Sequence, residues 1–475
     1  MTTGRLGGLA RFVAAVRAAR NVPPGPPRRA TLRLLKQLFT DRLTLFAGNA
    51  HYGGVVRIAI GPKSMYLIND PEHAKHVLAD NAANYIKGIG LREAKRALGD
   101  GLLTSDGETW RAQRRTIQPV FQPKRIARLA DLVASEAANL VERLRGHEGR
   151  GTVDVGHEMT SLTLAVLGKT LLDRELSEYT ELGHSFEAVQ DQAMFETVTL
   201  GKVPQFLPLP MQLRFRAGRA ELRRVADELV EFRIANPIEN GQDVLSRLIA
   251  SAGAEVNTPA ARIRMRDELI TLLLAGHETT ASTLGWAFHM LDEHPEIKAR
   301  LRAEVDEVLG DRLPVHEDLR RLTFTASVVE EVMRLYPPVW LLPRIAKELD
   351  VIAGYRIPAG SDVVVVPYVM HRHPDFWDEP ERFDPDRFAP GADTKSRPRY
   401  AYIPFGAGPR FCVGNSLGMM EAVFVLALVV RELDLAKPPG EKVSAEGMLS
   451  LRVRGGLRMT VRSVDRRRQA APRAA

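Results

Sequence analysis

The sequence predicts a mainly α chain with a minor β component, an α+β fold. Three observations support this. From about Pro71 to Leu335, apolar residues recur at spacings of three and four, the period of helices with one buried face. Strand-like runs are short and lie on the flanks of that region. Of the 475 residues, 45% are hydrophobic and 26% charged, a composition able to bury a large core.

In chain order, Leu6 to Ala19 is too short and too often interrupted by arginine to cross a membrane, which takes about 20 apolar residues. It reads as a frayed tail or as a basic amphipathic helix in weak contact with a membrane surface. Pro23-Pro24-Gly25-Pro26-Pro27 is a stiff break. Val55–Ile60 and Met65–Ile68 read as strands around Gly61-Pro62. Helices are expected at Trp110–Thr116, Ile126–Leu144, Leu162–Leu172, Met211–Ala235 and Arg264–Asp292, the last unusually long. Beyond Pro337-Pro338, strands are expected at Val351–Ile357 and Asp362–Val366. A Pro-rich stretch follows, then a helix from Asn415 to Leu433, and strands at Leu449–Val453 and Leu457–Val461. The organisation expected is a basic segment and hinge over 1–27, one domain over 28–463, and an Arg-rich tail over 464–475.

The net charge is +8, yet no zinc-finger spacing, RNA-binding signature or basic region with heptads is present, so nucleic acid is disfavoured. A single cysteine, Cys412, excludes a disulfide framework and any Cys₂ or Cys₄ metal site, and points to a reducing cytoplasm. That cysteine sits in Phe405-Gly406-Ala407-Gly408-Pro409-Arg410-Phe411-Cys412-Val413-Gly414, just before a helix. A helix start favours a thiolate. Gly408 and Gly414 let backbone approach a flat macrocycle closely. Arg410 can pair with a carboxylate on it, and Phe405 can shield the sulfur.

The pattern Phe-x-x-Gly-x-Arg-x-Cys-x-Gly fixes five positions in ten, and by it the chain resembles the cytochromes P450. The resemblance implies that family's fold, with a long central helix over the haem and the cysteine loop beneath it. It also implies haem b (iron protoporphyrin IX), with Cys412 as the axial ligand of the iron and Phe405, Gly406 and Gly414 around the cofactor. Ala275-Gly276-His277-Glu278-Thr279-Thr280, in the middle of the long helix, resembles the oxygen-activation motif. Ala275 and Gly276 would loosen the helix and leave room for dioxygen. Thr279 would hold the activated oxygen, and Glu278 would help deliver protons. In Glu330-Glu331-Val332-Met333-Arg334, spacing leaves either Glu as partner of Arg334. The resemblance selects Glu331 and adds Arg382, as a structural charge network. It assigns Trp110, Arg114 and Arg344, with Arg410, to the haem propionates.

The activity implied is a monooxygenase that activates O₂ and hydroxylates or epoxidises a lipophilic small molecule: a terpenoid, fatty acid, steroid or polyketide. The alternative is a peroxide-driven or non-oxygenating enzyme of the same fold. Pocket walls are expected from Ile89–Leu103, Phe195 and its neighbours, Leu272, Ala275, the run Val339–Leu342 with Leu341, and Met448 and Leu449. Val203–Met211 reads either as a mobile entrance that touches a membrane or as a core-packing loop. Two electrons would come from a ferredoxin or flavodoxin with its NAD(P)H reductase, docking near Arg111, Arg115 and Lys124. Three mimics fail: His277-Glu278 lacks a second His at 281, Gly414-Asn415-Ser416-Leu417-Gly418 has no preceding strand, and Gly168-Lys169-Thr170 lacks the glycine at 163.

Overall fold

The computed structural model describes residues 22–60, 63–176, 178–179, 181–199, 203–393 and 397–464. The N-terminal basic segment and the Arg466–Arg468 run lie outside the described residues. The chain forms two compact units. One comprises the residues up to Arg92 with Val339–Pro380 and Arg397–Phe411. The other comprises Glu93–Pro338, a stretch from Glu381, and the residues from Cys412 onward.

The smaller unit is built on a five-stranded sheet of β1 (Val55–Ile60), β2 (Lys63–Ile68), β3 (Tyr85–Lys87), β5 (Leu342–Ala346) and β8 (Asp362–Val365), in the order β1-β2-β8-β5-β3. Only β2 and β8 are parallel, with Met65 opposite Asp362. Val363, Val364 and Val365 are all buried, as a central parallel strand requires. The stretch expected as one strand, Val351–Ile357, is instead a hairpin of β6 (Asp350–Ile352) and β7 (Tyr355–Ile357). Ala353 at φ 51° and Gly354 at φ 78° make its two-residue turn. An alanine in that conformation gives no sequence signal. The Pro-rich segment is docked: the Pro24 carbonyl accepts from Arg57 N–H at 2.8 Å.

The larger unit is helical. Its main members are α1 (Gly107–Ile117), α2 (Ala130–Arg145), α3 (Val155–Leu167), α4 (Leu182–Thr199), α5 (Pro210–Ala235), α6 (Pro259–Glu293), α7 (Thr323–Leu335) and α8 (Asn415–Glu432). The α6 helix runs 35 residues, starting earlier than its apolar pattern suggests. Thr258 caps it by accepting Ala261 N–H, and Pro259 occupies its first turn. It stops before Pro295, where helix is disfavoured. Its central stretch from Leu269 to Leu274 is buried, and α3, α5, α7 and α8 pack along the helix. The helix expected over 126–144 is broken at Leu129 into two. The one expected at Leu162 begins at Val155, where Asp154 caps it. Small strands complete the unit: β4 (Thr152–Asp154), β9 (Leu433–Ala436) and β12 (Arg458–Ser463) in one sheet, and the hairpin β10 (Ala445–Gly447)–β11 (Leu451–Val453). In 203–211 the core-packing reading fails, because Phe206 and Leu209 are exposed. Among the described residues, no helix is long and apolar enough to cross a membrane.

Candidate active site

Cys412 lies three residues before α8, and the N–H groups of Gly414 and Asn415 at that helix start point at its sulfur. The residue keeps accessible surface although its sulfur is crowded by protein atoms. That crowding pushes the thiol above its ordinary pKa, while the two N–H groups and the Arg114 guanidinium pull it down. The protein alone does not make a free thiolate here. An iron bound at the sulfur would complete the shift, since a coordinating thiol is deprotonated outright. This donor set fits a single cationic ligand-acceptor at Cys412. Arg114 and Trp110 stand one turn apart on α1, both half-buried. Burial lowers the Arg114 pKa, and the charge of Cys412 opposes it.

The candidate oxygen site is an accessible point on α6. Leu272, Leu273 and Leu274 are buried, yet Ala275 is exposed in mid-helix. Thr279, one turn on, donates its hydroxyl to the Ala275 carbonyl at 3.0 Å. The helix is α along its whole span, Pro259–Glu293. Gly276 has a packing contact that its motif does not reveal. A Cβ there would lie 2.8 Å from both Leu167 δ-carbons, so the glycine also fits α6 against α3. His277 is buried against Phe186 and donates from Nδ1 to the Leu273 carbonyl at 2.7 Å. Burial holds its pKa below the ordinary value, so it is neutral. Among the described residues, no group of three or more His, Cys, Asp or Glu could hold a metal ion.

Glu278 is half-buried, and its Oε1 accepts from the Ser450 hydroxyl at 2.5 Å. Ser450 was not anticipated: it lies 172 residues away and carries no local signal. Met448 and Leu449 precede it in the turn between β10 and β11, so two expected pocket residues share a turn with the residue bonded to the expected acid.

Glu331, Arg334 and Arg382 are brought together. Arg334 donates from Nε and Nη2 to the two Glu331 oxygens at 2.7 and 2.8 Å, and from Nη2 to the Arg382 carbonyl at 3.0 Å. The Asp384 N–H adds a bond to Glu331 at 2.8 Å, and Arg387 approaches it at 3.5 Å. Arg387 was missed, as nothing in its spacing connects it to α7.

The remaining site residues belong to the smaller unit. Arg344 is buried on β5, where Val363 and Lys87 flank it. Val339 and Leu341 are half-buried on either side of fully buried Trp340, which packs edge-on to Phe46. Phe405 meets Phe411 edge-to-face, and Arg410 ends a short turn that follows Gly406 and Gly408. Both glycines have positive φ, 70° and 67°. A Cβ on Gly408 would overlap the Leu78 carbonyl, so the close backbone approach in evidence there is to Leu78. A groove of about 690 Å³ in the larger unit, lined by Arg115, Ile238, Gln242 and Arg247 among others, includes none of the expected pocket residues.

A helix-start cysteine and a long helix with Thr279 bonded to the Ala275 carbonyl fit a haem-thiolate enzyme, and comparison with known proteins gives the family. Residues 23–454 match the family model described as Cytochrome P450, and the chain belongs to that family. It is a cytochrome P450 monooxygenase, and membership implies a haem cofactor and electrons from outside. The chain is 37% identical to cyclooctatin synthase of Streptomyces melanosporofaciens, over 88% of this chain and 90% of the relative. It is 34% identical to cyclooctat-9-en-7-ol 5-monooxygenase of the same organism, over 85% and 87%. To pentalenene oxygenase of Streptomyces avermitilis it is 32% identical, over 86% and 90%.

Proposed function

We propose that this monooxygenase carries haem b with Cys412 as the axial ligand, and hydroxylates or epoxidises a terpenoid. The observation that carries this reading is the pair of N–H groups from Gly414 and Asn415 aimed at the Cys412 sulfur at the start of α8. When bound, the haem supplies the activation of O₂, one atom entering the substrate and the other leaving as water. The chain's own residues do the rest. Thr279, whose hydroxyl is parked on the Ala275 carbonyl, is placed to hold a proton at the open face of α6. Glu278, half-buried beside it, moves protons inward from water. Arg114 and Trp110 are the candidates for a propionate in the larger unit. For Arg344 and Arg410, that assignment rests on the family alone.

Leu272, Ala275, Met448 and Leu449 form the proposed substrate wall in the larger unit, and they carry no charge. The relatives' names pair three of them with cyclooctatin, cyclooctat-9-en-7-ol and pentalenene, which supports a terpenoid over a fatty acid, steroid or polyketide. A ferredoxin or flavodoxin with its NAD(P)H reductase is the proposed donor. Arg111, Arg115 and Lys124, all exposed, are its proposed docking charges. The lone cysteine supports a reducing cytoplasm.

The first test is the absorption of the reduced, CO-treated protein. A thiolate-type band that is lost in Cys412→His is expected, and a histidine-type band in the native chain would overturn the ligand assignment. Titration with cyclic terpene alcohols should then change the spin state where fatty acids and steroids do not. Turnover with peroxide but none with O₂ and electrons would replace the monooxygenase with a peroxide-driven enzyme.

A further inference from the structure

Three polar side chains on one stripe of α6, Glu278, Ser282 and Trp286, reach the same two residues of the β10–β11 hairpin. They are spaced by four and so share a helix face. Glu278 takes the Ser450 hydroxyl at 2.5 Å. Ser282 Oγ and Trp286 Nε1 both donate to the Leu451 carbonyl, at 2.6 and 2.9 Å. The Leu451 N–H is satisfied in turn by the Pro338 carbonyl at 2.9 Å, and Trp286 is stacked on Tyr336 at 3.9 Å. Ser450 is itself buried, and its carbonyl accepts the Met448 N–H. The strap is therefore fixed at several points, and its one side chain bonded to the oxygen-site acid is Ser450.

His277 cannot do the same work. Its Nε2 lies 3.8 Å from Glu278 Oε2, beyond hydrogen-bond reach. Its proton is on Nδ1, given to Leu273, so in the neutral ring Nε2 only accepts. A hydroxyl suits an acid that must change state: it donates to a carboxylate and accepts from a carboxylic acid. An arginine in its place would favour the ionised form alone.

We infer that Ser450 is a positioning residue that fixes the Glu278 carboxyl for proton delivery, and that its turn ties this carboxyl to the substrate wall at Met448 and Leu449. The inference rests on the proposed role of Glu278 in proton delivery. Each proton Glu278 passes inward is regained from solvent water, so the pair is unchanged after a cycle.

The test uses the haem-loaded protein with a plant-type ferredoxin and its NADPH reductase, without added substrate. The readouts are the rate of oxygen consumption, its solvent isotope effect, and the C–O stretching band of CO on the reduced protein. Ser450→Ala should slow oxygen consumption about tenfold, the size expected for one hydrogen bond to a charged group. It should also raise the isotope effect and shift or split the C–O band. Ser450→Thr should restore all three, and Ser450→Val, which differs from it by the hydroxyl, should not; that pair decides the matter if Ala loosens the turn. Ser282→Ala weakens the same strap without touching Glu278, and should lower the melting temperature while leaving the isotope effect in place. If Ser282→Ala reproduces the Ser450→Ala effects, or Ser450→Ala is unchanged while Glu278→Gln is altered, the positioning role is overturned. If Glu278→Gln is itself unchanged, the proposed proton role of Glu278 falls, and this inference with it.

Discussion

Two glutamates are fully buried on neighbouring helices of the larger unit, and their surroundings are opposite. Glu331 on α7 is met by two donors of Arg334, the Asp384 N–H and the Arg387 guanidinium. Glu421 on α8 has no hydrogen-bond partner at Oε1, and burial alone pushes its pKa up to about 8. Even at Glu331 burial is the largest influence and raises the pKa, with the arginines opposing it. The ion pair therefore offsets the loss of hydration rather than adding a large surplus. What Glu331 gains the fold is specificity: it ties α7 to the 382–387 segment at a fixed place. Glu421 ties nothing that the described residues show, and it sits on the helix whose start holds Cys412.

The largest expected effect is at Glu331. Glu331→Ala would remove the carboxylate that meets the buried guanidinium of Arg334, 0% exposed, and should destabilise by about 3–5 kcal/mol. Replacing both by leucine should recover much of that loss. Urea unfolding of the two variants measures it. A loss below about 1 kcal/mol for the single variant would remove the contrast with Glu421.

The next effect is smaller and opposite in sign. In the unfolded chain Glu421 ionises near 4.5, whereas in the fold it keeps its proton to about 8. A raised acid pKa means that stability is unaffected below about pH 4.5, falls through the interval to pH 8, and is lowest above it. Glu421→Gln should thus match the native protein at pH 4.5 and exceed it by about 1–3 kcal/mol above pH 8, the size of one unsatisfied buried group. Melting curves from pH 5 to 9 test this. Parallel curves for the two proteins would show that Glu421 has a partner in solution.

This contrast also explains what the sequence could and could not reveal. The cysteine loop is a ten-residue string, and α6 is a long periodic pattern, so both are local and legible. Each partner of Glu331 or Glu278 is set by tertiary packing instead. Arg387 and Ser450 reach their acids across 56 and 172 residues, and no spacing rule connects them. Gly276 is similar: its motif is local, but its fit against Leu167 on α3 is tertiary. The break at Leu129 and the turn at Ala353 are single-residue conformations that residue type does not encode.

Glu268 on α6 lies between the two extremes and gives the smallest test. It is buried, its Oε1 accepts the Leu102 N–H at 3.1 Å, and its Oε2 has no partner. Burial raises its pKa to about 8 while the Leu102 bond opposes the rise. Beside it Asp267 accepts the Asp100 N–H, and a Cβ on Gly99 or Gly101 would run into Asp267 or Thr271. The loop from Gly99 to Leu102, expected as pocket wall, is thus fitted to the helix through these acids. Glu268→Gln keeps an acceptor for Leu102 and removes the charge. It should be neutral near pH 4.5 and stabilise by about 0.5–1.5 kcal/mol above pH 8, less than at Glu421 because one donor is already present. Glu268→Leu removes the acceptor, so hydrogen exchange at the Leu102 amide should become fast while the Gln variant stays protected. If exchange at Leu102 is equally slow in both, the loop is held by Asp267 and the glycine fit, and Glu268 belongs with Glu421 rather than between the two.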